Sequence, residues 1–342
     1  MRRSLLALAF LPVAAPGSTA LDAPTRAPLP VVIAHRGASG HRPEHTLAAY
    51  ELAVRMGADY IEPDLVSTRD GALVCRHENE IGGTTDVATR FPDRRRRAVI
   101  DGDTISGWFT EDFTLAELRT LRARERLEQR SHAWDGQFAI PTFDEVLALA
   151  ARLGRERGRP VGVYPETKHP SHFRRIGLPL EPPLLASLRR AGLDRRDAPV
   201  FIQSFERTNL VALRARTRVR LVQLVVGGGT PPGDTVGYAS MRTPAGLRAM
   251  RRYADAIGAE KRLVLPSDSG AAPTTLVADA HAAGLLVHVW TLRSDSAFLP
   301  ARWRGDPAAE VRAFAAAGVD GVFTDFPDAA VQGLGRETRP RR

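Results

Sequence analysis

The chain has 342 residues, of which 43% are hydrophobic and 25% are charged. This balance is that of an ordinary globular protein and excludes a collagen-like or mainly disordered chain. The net charge of +9 comes from basic residues spread along the chain, apart from arginines at 94–97. We interpret that run as a solvated loop without a partner, so we expect no nucleic-acid partner. The single cysteine, Cys75, excludes an intrachain disulfide and a cysteine-based zinc site.

The N-terminal stretch MRRSLLALAFLPVAAPGSTA has the organisation of a secretory signal peptide. Two arginines precede a short apolar segment, which Pro16 and Gly17 end before small residues at a plausible cleavage site. The segment is too short to span a bilayer comfortably, and a retained membrane anchor is the alternative. We expect residues 1–20 to be removed and residues 21–342 to form one domain. The mature protein would then be periplasmic or secreted, without stable membrane insertion.

Short apolar stretches alternate with helical patterns along the rest of the chain. The first stretch, VVIAHRG, precedes a helix predicted over 46–56, and the last is DGVFTDFP. About eight strands separated by helices predict an α/β fold with a parallel sheet. Eight units favour a closed (β/α)₈ TIM barrel over an open doubly wound sheet. Residues 79–140 contain turn signals and few clear strands, so we interpret them as an insertion after the second strand, on the catalytic rim.

Acidic residues lie near the carboxyl ends of predicted strands, where such barrels have their active sites. Glu62 and Asp64 stand two residues apart, so both side chains leave the same face of one strand, and Glu166 lies in the next. Unpaired carboxylates at a barrel mouth repel each other unless a cation neutralises them, and oxygen ligands suit Ca²⁺ or Mg²⁺. Ordinary ion pairs with arginines such as Arg36 are the alternative.

His35 and His77 also lie at strand ends, where they could supply a general acid and a general base near neutral pH. A structural role is the alternative for either histidine taken alone. Arg36 and Lys168 add fixed positive charge, and the combination suits a tetrahedral anion such as a phosphate ester. Two further candidates for contact with the substrate are Gln203 and Trp290. The chain has no P-loop and no serine nucleophile elbow.

These residues belong to a stretch that resembles the opening of the glycerophosphodiester phosphodiesterases, AHRGASGHRPEHTLAAYELAVRMGADYIEPDLVSTRDGALVCRHE. The family pattern is His-Arg, then Glu, then Glu-x-Asp, then a downstream His. It falls here on His35-Arg36, Glu44, Glu62-x-Asp64 and His77. The resemblance continues through GVYPETKHP, FIQSF, VHVWTLRSD and GVFTDFPDAAV, and TTDVATRFPDR resembles the insertion of the periplasmic and secreted branch.

The resemblance implies a barrel enzyme that hydrolyses glycerophosphodiesters, such as glycerophosphocholine, to sn-glycerol 3-phosphate and an alcohol. It also implies one divalent cation, Ca²⁺ with Mg²⁺ as the alternative, and a small-molecule substrate as partner. It assigns Glu62, Asp64 and Glu166 as metal ligands, His35 and His77 as the acid–base pair, and Arg36 and Lys168 as contacts to the phosphate. Glu44 would support either the His35 loop or the metal shell. Which histidine acts first is left open, as is the oligomeric state.

Two other functions are weighed against this one. A secreted phospholipase D acting on lysophospholipids or sphingomyelin would need an apolar patch on the rim, for which Trp108, Phe109 and Phe113 are the candidates. A binding or adhesion protein on a degenerate barrel would require the loss of a ligand or a histidine, and all of them are present. Glu78 departs from the family pattern, because many members have Asp directly after the second histidine, and its role is left open. Trp290 stands where close relatives carry Tyr.

Overall fold

The computed structural model describes residues 29–266 and 272–336. The predicted signal peptide, residues 1–20, lies outside the described residues, and its cleavage stays a prediction. The strands are β1 (Val31–His35), β2 (Tyr60–Glu62), β3 (Asp64–Ser67), β4 (Leu73–Cys75), β5 (Arg96–Ile100), β6 (Asp103–Gly107), β7 (Gly162–Val163), β8 (Glu166–Thr167), β9 (Phe201–Ser204), β10 (Arg220–Val225), β11 (Ala256–Glu260), β12 (Leu286–Leu292) and β13 (Gly321–Thr324).

Twelve α-helices lie between and after these strands in the described part of the chain. They are α1 (Leu47–Arg55), α2 (Val87–Arg90), α3 (Leu115–Leu118), α4 (Phe143–Arg157), α5 (Pro170–Arg175), α6 (Glu181–Arg190), α7 (Arg207–Arg214), α8 (Tyr238–Met241), α9 (Pro244–Met250), α10 (Leu276–Ala282), α11 (Pro307–Ala316) and α12 (Pro327–Gly333). No helix in this part of the chain is both long and apolar enough to cross a bilayer.

The main sheet closes into a barrel in which two of the eight strands are each divided into two segments. Pro63 separates β2 from β3, and Tyr164 with Pro165 separates β7 from β8. The strand β2 pairs in parallel with β1 and with β7, whereas β3 pairs with β8. From β8 the parallel ladder continues through β9, β10, β11, β12 and β13 back to β1. The predicted (β/α)₈ barrel is therefore confirmed.

Helix α4 shows why the longer helices were predictable from the sequence. The Thr142 hydroxyl accepts from the Glu145 N–H, and the Glu145 carboxylate accepts from the Thr142 N–H, which forms a capping box. Gly158, with φ of 72°, ends the helix in the left-handed conformation. The predicted helix start after Thr142 is confirmed, and the helix runs four residues beyond the predicted end at Leu153, to Arg157. Helices α2, α3, α5 and α8, of four to six residues, were not predicted because they are too short to show a helical period. Helix α12 was also not predicted.

Apolar side chains fill both the inside of the barrel and the layer between its sheet and the helices. The inner cluster comprises Ile33, Tyr164, Phe201, Val222, Ala256 and Phe323. The Tyr164 hydroxyl lies 2.6 Å from Nδ1 of His288, so that histidine belongs to the barrel interior. This filled interior leaves the carboxyl ends of the strands as the place where polar side chains gather.

The insertion leaves the barrel between β4 and α4, as predicted. It carries the antiparallel hairpin of β5 and β6, whose two-residue turn is Asp101-Gly102. Both turn residues have positive φ, 51° and 99°, as a type I′ turn requires. The interpretation of residues 94–97 as a loop was wrong, whereas the absence of a nucleic-acid partner for this run stays a prediction. Arg94 pairs with Glu117, and Arg96 begins β5.

Candidate active site

Three carboxylates meet at the carboxyl end of the barrel. Glu62 ends β2, Asp64 begins β3 and Glu166 begins β8, and an oxygen from each lies within 4.8 Å of the others. The ladder places Asp64 directly opposite Glu166. All three side chains are buried. The structure thus brings together the three residues that the sequence marked as candidate metal ligands.

The three buried carboxylates disfavour one another's negative charge, which a bound cation would neutralise. Burial, followed by the neighbouring Asp64 and Glu166, raises the pKa of Glu62 well above its ordinary value. Burial also raises the pKa of Glu166 to about 7, although Lys168 acts in the opposite direction. Oδ1 of Asp64 is buried and has no hydrogen-bond partner among the described residues. Repelling carboxylates with an unused oxygen fit a hard divalent ion, so this group could hold a metal.

His35 stands at the end of β1 with one ring nitrogen already engaged. Its Nδ1 lies 2.6 Å from Oδ1 of Asp325, a buried carboxylate that follows β13. Burial and the charge of Arg36 lower the pKa of His35 to about 4, against the opposing effect of Asp325. The ring is therefore neutral near pH 7. The Asp325 contact assigns its proton to Nδ1 and leaves Nε2 with a lone pair.

Asp325 is itself held by two arginines. Nη2 of Arg130 lies 2.6 Å from Oδ2 of Asp325, and Nε of Arg293 lies 2.9 Å from the same oxygen. Arg130 comes from the insertion, is buried, and also donates to both oxygens of Asp295 and to the Ser39 carbonyl oxygen. We call Asp325, Arg130, Arg293 and Asp295 the arginine clamp.

His77 follows β4 and faces the same cavity as His35. Its Nδ1 lies 2.8 Å from Oε1 of Glu78, and its Nε2 lies 3.4 Å from Nζ of Lys168. Desolvation and the charges of Arg36 and Lys168 lower the pKa of His77 below its ordinary value. Like His35, this imidazole has one nitrogen bound to a carboxylate. Its other nitrogen faces the cavity, where it can accept from Lys168.

Arg36 and Glu44 form a buried pair beside the carboxylate group. Nη1 of Arg36 lies 2.9 Å from Oε2 of Glu44, and its Nε lies 3.6 Å from Oδ2 of Asp64. The Arg36 N–H donates to Glu62 at 2.8 Å, with Arg36 at a φ of 60°. Glu44 therefore binds Arg36, the residue after His35, and is not among the grouped metal-ligand candidates. Its expected support of the His35 loop or of the metal shell stays a prediction. The alternative to a metal site was that the carboxylates form ion pairs with arginines. Asp64 does form one with Arg36.

Of the remaining candidates, Gln203 and Trp290 line the same cavity as the histidines, whereas Lys168 lies beside Glu166 and is not among its lining residues. Nζ of Lys168 lies 3.1 Å from Oε1 of Glu166. Nε2 of Gln203 donates to Oε1 of Glu62 at 2.8 Å, and the Trp290 indole N–H donates to the Gly258 carbonyl oxygen at 2.9 Å. Both of these donors are already used, so the ring of Trp290 and the free Oε1 of Gln203 are what these residues can offer a ligand.

One cavity of about 110 Å³ collects most of these side chains. Its walls include His35, Arg36, Glu62, His77, Glu166, Gln203 and Trp290. The cavity therefore has two neutral imidazoles, a cation-attracting carboxylate group and a guanidinium around one small volume. This set could bind a phosphate ester and exchange protons with it on two sides.

The insertion does not offer the apolar patch that a lipid chain would require at these positions. Phe109 and Phe113 are completely buried, and the Trp108 indole N–H donates to the Phe91 carbonyl oxygen. The expectation of a rim surface was wrong for Phe109 and Phe113, which belong to the core. Trp108 is half-buried and packs against that core.

Sequence reasoning missed several side chains that contact the predicted ones. His45 is fully buried, with Nε2 2.9 Å from Oδ2 of Asp64 and Nδ1 2.7 Å from the Tyr50 hydroxyl. Asp325 could have been found, because it follows the last strand at the same barrel end as the other candidates. Arg130 gave no signal, since it is one arginine among many in a stretch without a clear period.

A family model described as the glycerophosphoryl diester phosphodiesterase family matches residues 35–329 of this chain. A glycerophosphodiester phosphodiesterase of Arabidopsis thaliana is 36% identical over 321 residues, an alignment covering 89% of this chain and 85% of that protein. A glycerophosphodiester phosphodiesterase of Haemophilus influenzae is 31% identical over 334 residues and 89% of each chain. These likenesses extend over the barrel and the insertion alike.

Solved structures share the fold. A glycerophosphodiester phosphodiesterase of Agrobacterium tumefaciens is 23% identical with a TM-score of 0.57, covering 89% of this chain and 100% of that one. A phosphodiesterase of Oleispira antarctica, solved in complex with the product sn-glycerol-3-phosphate, is 22% identical with a TM-score of 0.62, covering 90% and 97%. With the family match and the relatives above 30% identity, the chain belongs to the glycerophosphoryl diester phosphodiesterase family.

Proposed function

We propose that this protein hydrolyses glycerophosphodiesters, such as glycerophosphocholine, to sn-glycerol 3-phosphate and an alcohol. The observation that carries the proposal is that His35 and His77 line one small cavity together with Glu62 and Glu166. Membership of the family supports the same reaction, and a phosphodiesterase of the same fold has been solved with sn-glycerol-3-phosphate as its product.

The two imidazoles would exchange protons with the substrate through Nε2. In each ring Nδ1 is bound to a carboxylate, Asp325 for His35 and Glu78 for His77. A neutral ring of this kind takes the proton of an attacking hydroxyl through Nε2. The other ring, which is also neutral in the free protein, would first take up a proton from solvent and then give it to the departing alcohol oxygen. Arg36 and Lys168 supply positive charge beside the phosphate.

We further propose that Glu62, Asp64 and Glu166 hold one divalent cation, Ca²⁺ with Mg²⁺ as the alternative. The oxygen-only donor set and the unpartnered Oδ1 of Asp64 support a hard ion. When bound, such an ion would acidify a hydroxyl near the phosphate and neutralise the charge that develops there.

The test is an assay of the purified protein on glycerophosphocholine, with sn-glycerol 3-phosphate measured as the product. We expect turnover that EDTA abolishes and that Ca²⁺ or Mg²⁺ restores. His35→Ala and His77→Ala should each lower kcat by about 10²–10⁴-fold, with circular dichroism unchanged. Turnover that survives both EDTA and the substitutions would contradict the proposal. Choline release from lysophosphatidylcholine or sphingomyelin vesicles, in the absence of activity on glycerophosphocholine, would favour the phospholipase D alternative.

A further inference from the structure

A line of alternating imidazole and carboxylate groups runs from His77 to the insertion. Nδ1 of His77 lies 2.8 Å from Oε1 of Glu78, and Oε2 of Glu78 lies 2.7 Å from Nε2 of His169. Nδ1 of His169 lies 2.6 Å from Oδ2 of Asp101. Each contact joins a ring nitrogen to a carboxylate oxygen, so neighbouring groups in the line attract each other. We call Glu78, His169 and Asp101 the imidazole bridge.

His169 is the central group of the bridge. A neutral imidazole has one N–H to donate, whereas a protonated one donates from both nitrogens. Both nitrogens of His169 contact carboxylates, and its side chain is only 16% exposed. Burial and Lys168 oppose a charge on this ring, but the hydrogen bonds to Asp101 and Glu78 outweigh them and raise the pKa of His169 to about 9. The ring therefore binds both carboxylates at neutral pH.

The backbone holds two members of the bridge in the left-handed region that non-glycine residues rarely adopt. Asp101 has φ of 51° as the first residue of the hairpin turn, a position that Asp-Gly sequences favour. His169 has φ of 47° directly before Pro170, which begins α5. Such conformations cost free energy and persist where the surrounding structure fixes them. Both side chains are therefore presented from defined backbone positions.

We propose that Asp101 and His169 are positioning residues that, through Glu78, hold the His77 ring with Nδ1 bound and Nε2 left for proton exchange. The inference rests on the proposed function, and it means that the insertion helps to orient a residue that takes part in catalysis. Glu78 can serve both neighbours because its two oxygens contact different rings. Asp101 lies on the hairpin of the insertion, so the insertion orients a residue of the barrel rim across two intervening side chains.

The experiment compares kcat and KM for glycerophosphocholine in Asp101→Asn, His169→Gln and Glu78→Gln. Asp103→Asn is the matched control, because Asp103 is an exposed acidic residue at the start of β6 in the same hairpin. We expect kcat to fall about 3–10-fold in Asp101→Asn and about 10–100-fold in His169→Gln and Glu78→Gln. KM and the affinity for Ca²⁺ should stay within about twofold of the unsubstituted protein, and Asp103→Asn should leave both constants unchanged.

The outcomes separate this inference from the proposed function. If His77→Ala retains full activity, the proposed function fails. If His77→Ala is inactive while Asp101→Asn and His169→Gln keep an unchanged kcat, only the positioning role fails. A rise in KM at constant kcat would also overturn it, because it would indicate substrate binding.

A spectroscopic measurement on the unsubstituted protein tests the bridge without any variant. Nitrogen-15 NMR of the histidine rings at pH 7 should find His169 protonated on both nitrogens and His77 protonated on Nδ1 alone. A His77 ring that is protonated on Nε2, or a neutral His169, would contradict the proposal.

Discussion

The imidazoles of His35 and His77 each bind a carboxylate, but the two carboxylates are supported in different ways. Asp325, beside His35, is held by two guanidinium groups of the arginine clamp, which stay protonated at any pH the protein meets. Glu78, beside His77, is held by an imidazole whose charge can change. The insertion contributes to both supports, through Arg130 and through Asp101. The support of His35 is therefore charged at every pH, whereas the support of His77 depends on the protonation of His169.

The largest effect should follow from Asp325→Asn, which keeps the shape of the side chain and removes its charge. We expect kcat to fall by about 10³-fold or more, because the His35 ring loses the partner that fixes its tautomer. The two arginines would also lose a buried counterion, at a cost of about 3–5 kcal/mol in the free energy of unfolding. Steady-state kinetics and urea denaturation measure both. Asp328→Asn, at a half-exposed residue nearby, serves as the control and should change neither.

Arg130→Met should have the next largest effect, since it removes the insertion's part of the arginine clamp. Asp295 and Asp325 would lose their shared donor, and we expect kcat to fall about 10–100-fold with a loss of about 2–4 kcal/mol in the free energy of unfolding. Arg124→Met is the control, because the Arg124 side chain is largely exposed. Its ion pair with Asp135 is a weak one, with Nε no nearer than 3.8 Å to Oδ2. An Arg130→Met protein with unchanged kcat would mean that Arg293 alone can hold Asp325.

The smallest effect concerns the pH dependence of stability on the His77 side. The folded pKa of His169, about 9, lies above the unfolded value of about 6.5. Its contribution is therefore fully present below pH 6.5 and is lost as the pH rises through 9. We expect His169→Gln to lower the free energy of unfolding by roughly 1–3 kcal/mol at pH 6 and by much less at pH 10. Urea denaturation at both pH values measures this difference, and a gap that does not narrow would refute a charged His169.

The barrel and its rim residues could be predicted because their signals are local. The alternation of apolar stretches and helical periods gave the fold class, and the position of polar residues at strand ends gave Glu62, Asp64 and Glu166. The same rule placed His35 and His77 near each other. These inferences need only the geometry of parallel strands, whose carboxyl ends lie together.

Asp325 could have been found at the end of the last strand, but the pairings that support the imidazoles could not be predicted, because they join distant parts of the chain. Asp325 is 290 residues from His35, and Arg130 is 195 residues from Asp325. Neither pair leaves a periodic pattern in the sequence. The hairpin that carries Asp101 was missed because β5 and β6 pair only with each other and are mostly exposed. An arginine-rich stretch of this kind resembles a loop until its Asp-Gly turn is considered.

The burial of Arg130 has a consequence for redesign of this protein. One guanidinium contacts the Ser39 carbonyl oxygen in the loop after β1, Asp295 after β12 and Asp325 after β13. Grafting a shorter connection from another barrel would leave these acceptors facing an empty volume. A transplant of this rim would have to carry Arg130 and Asp295 together, so that the loops are exchanged as a set.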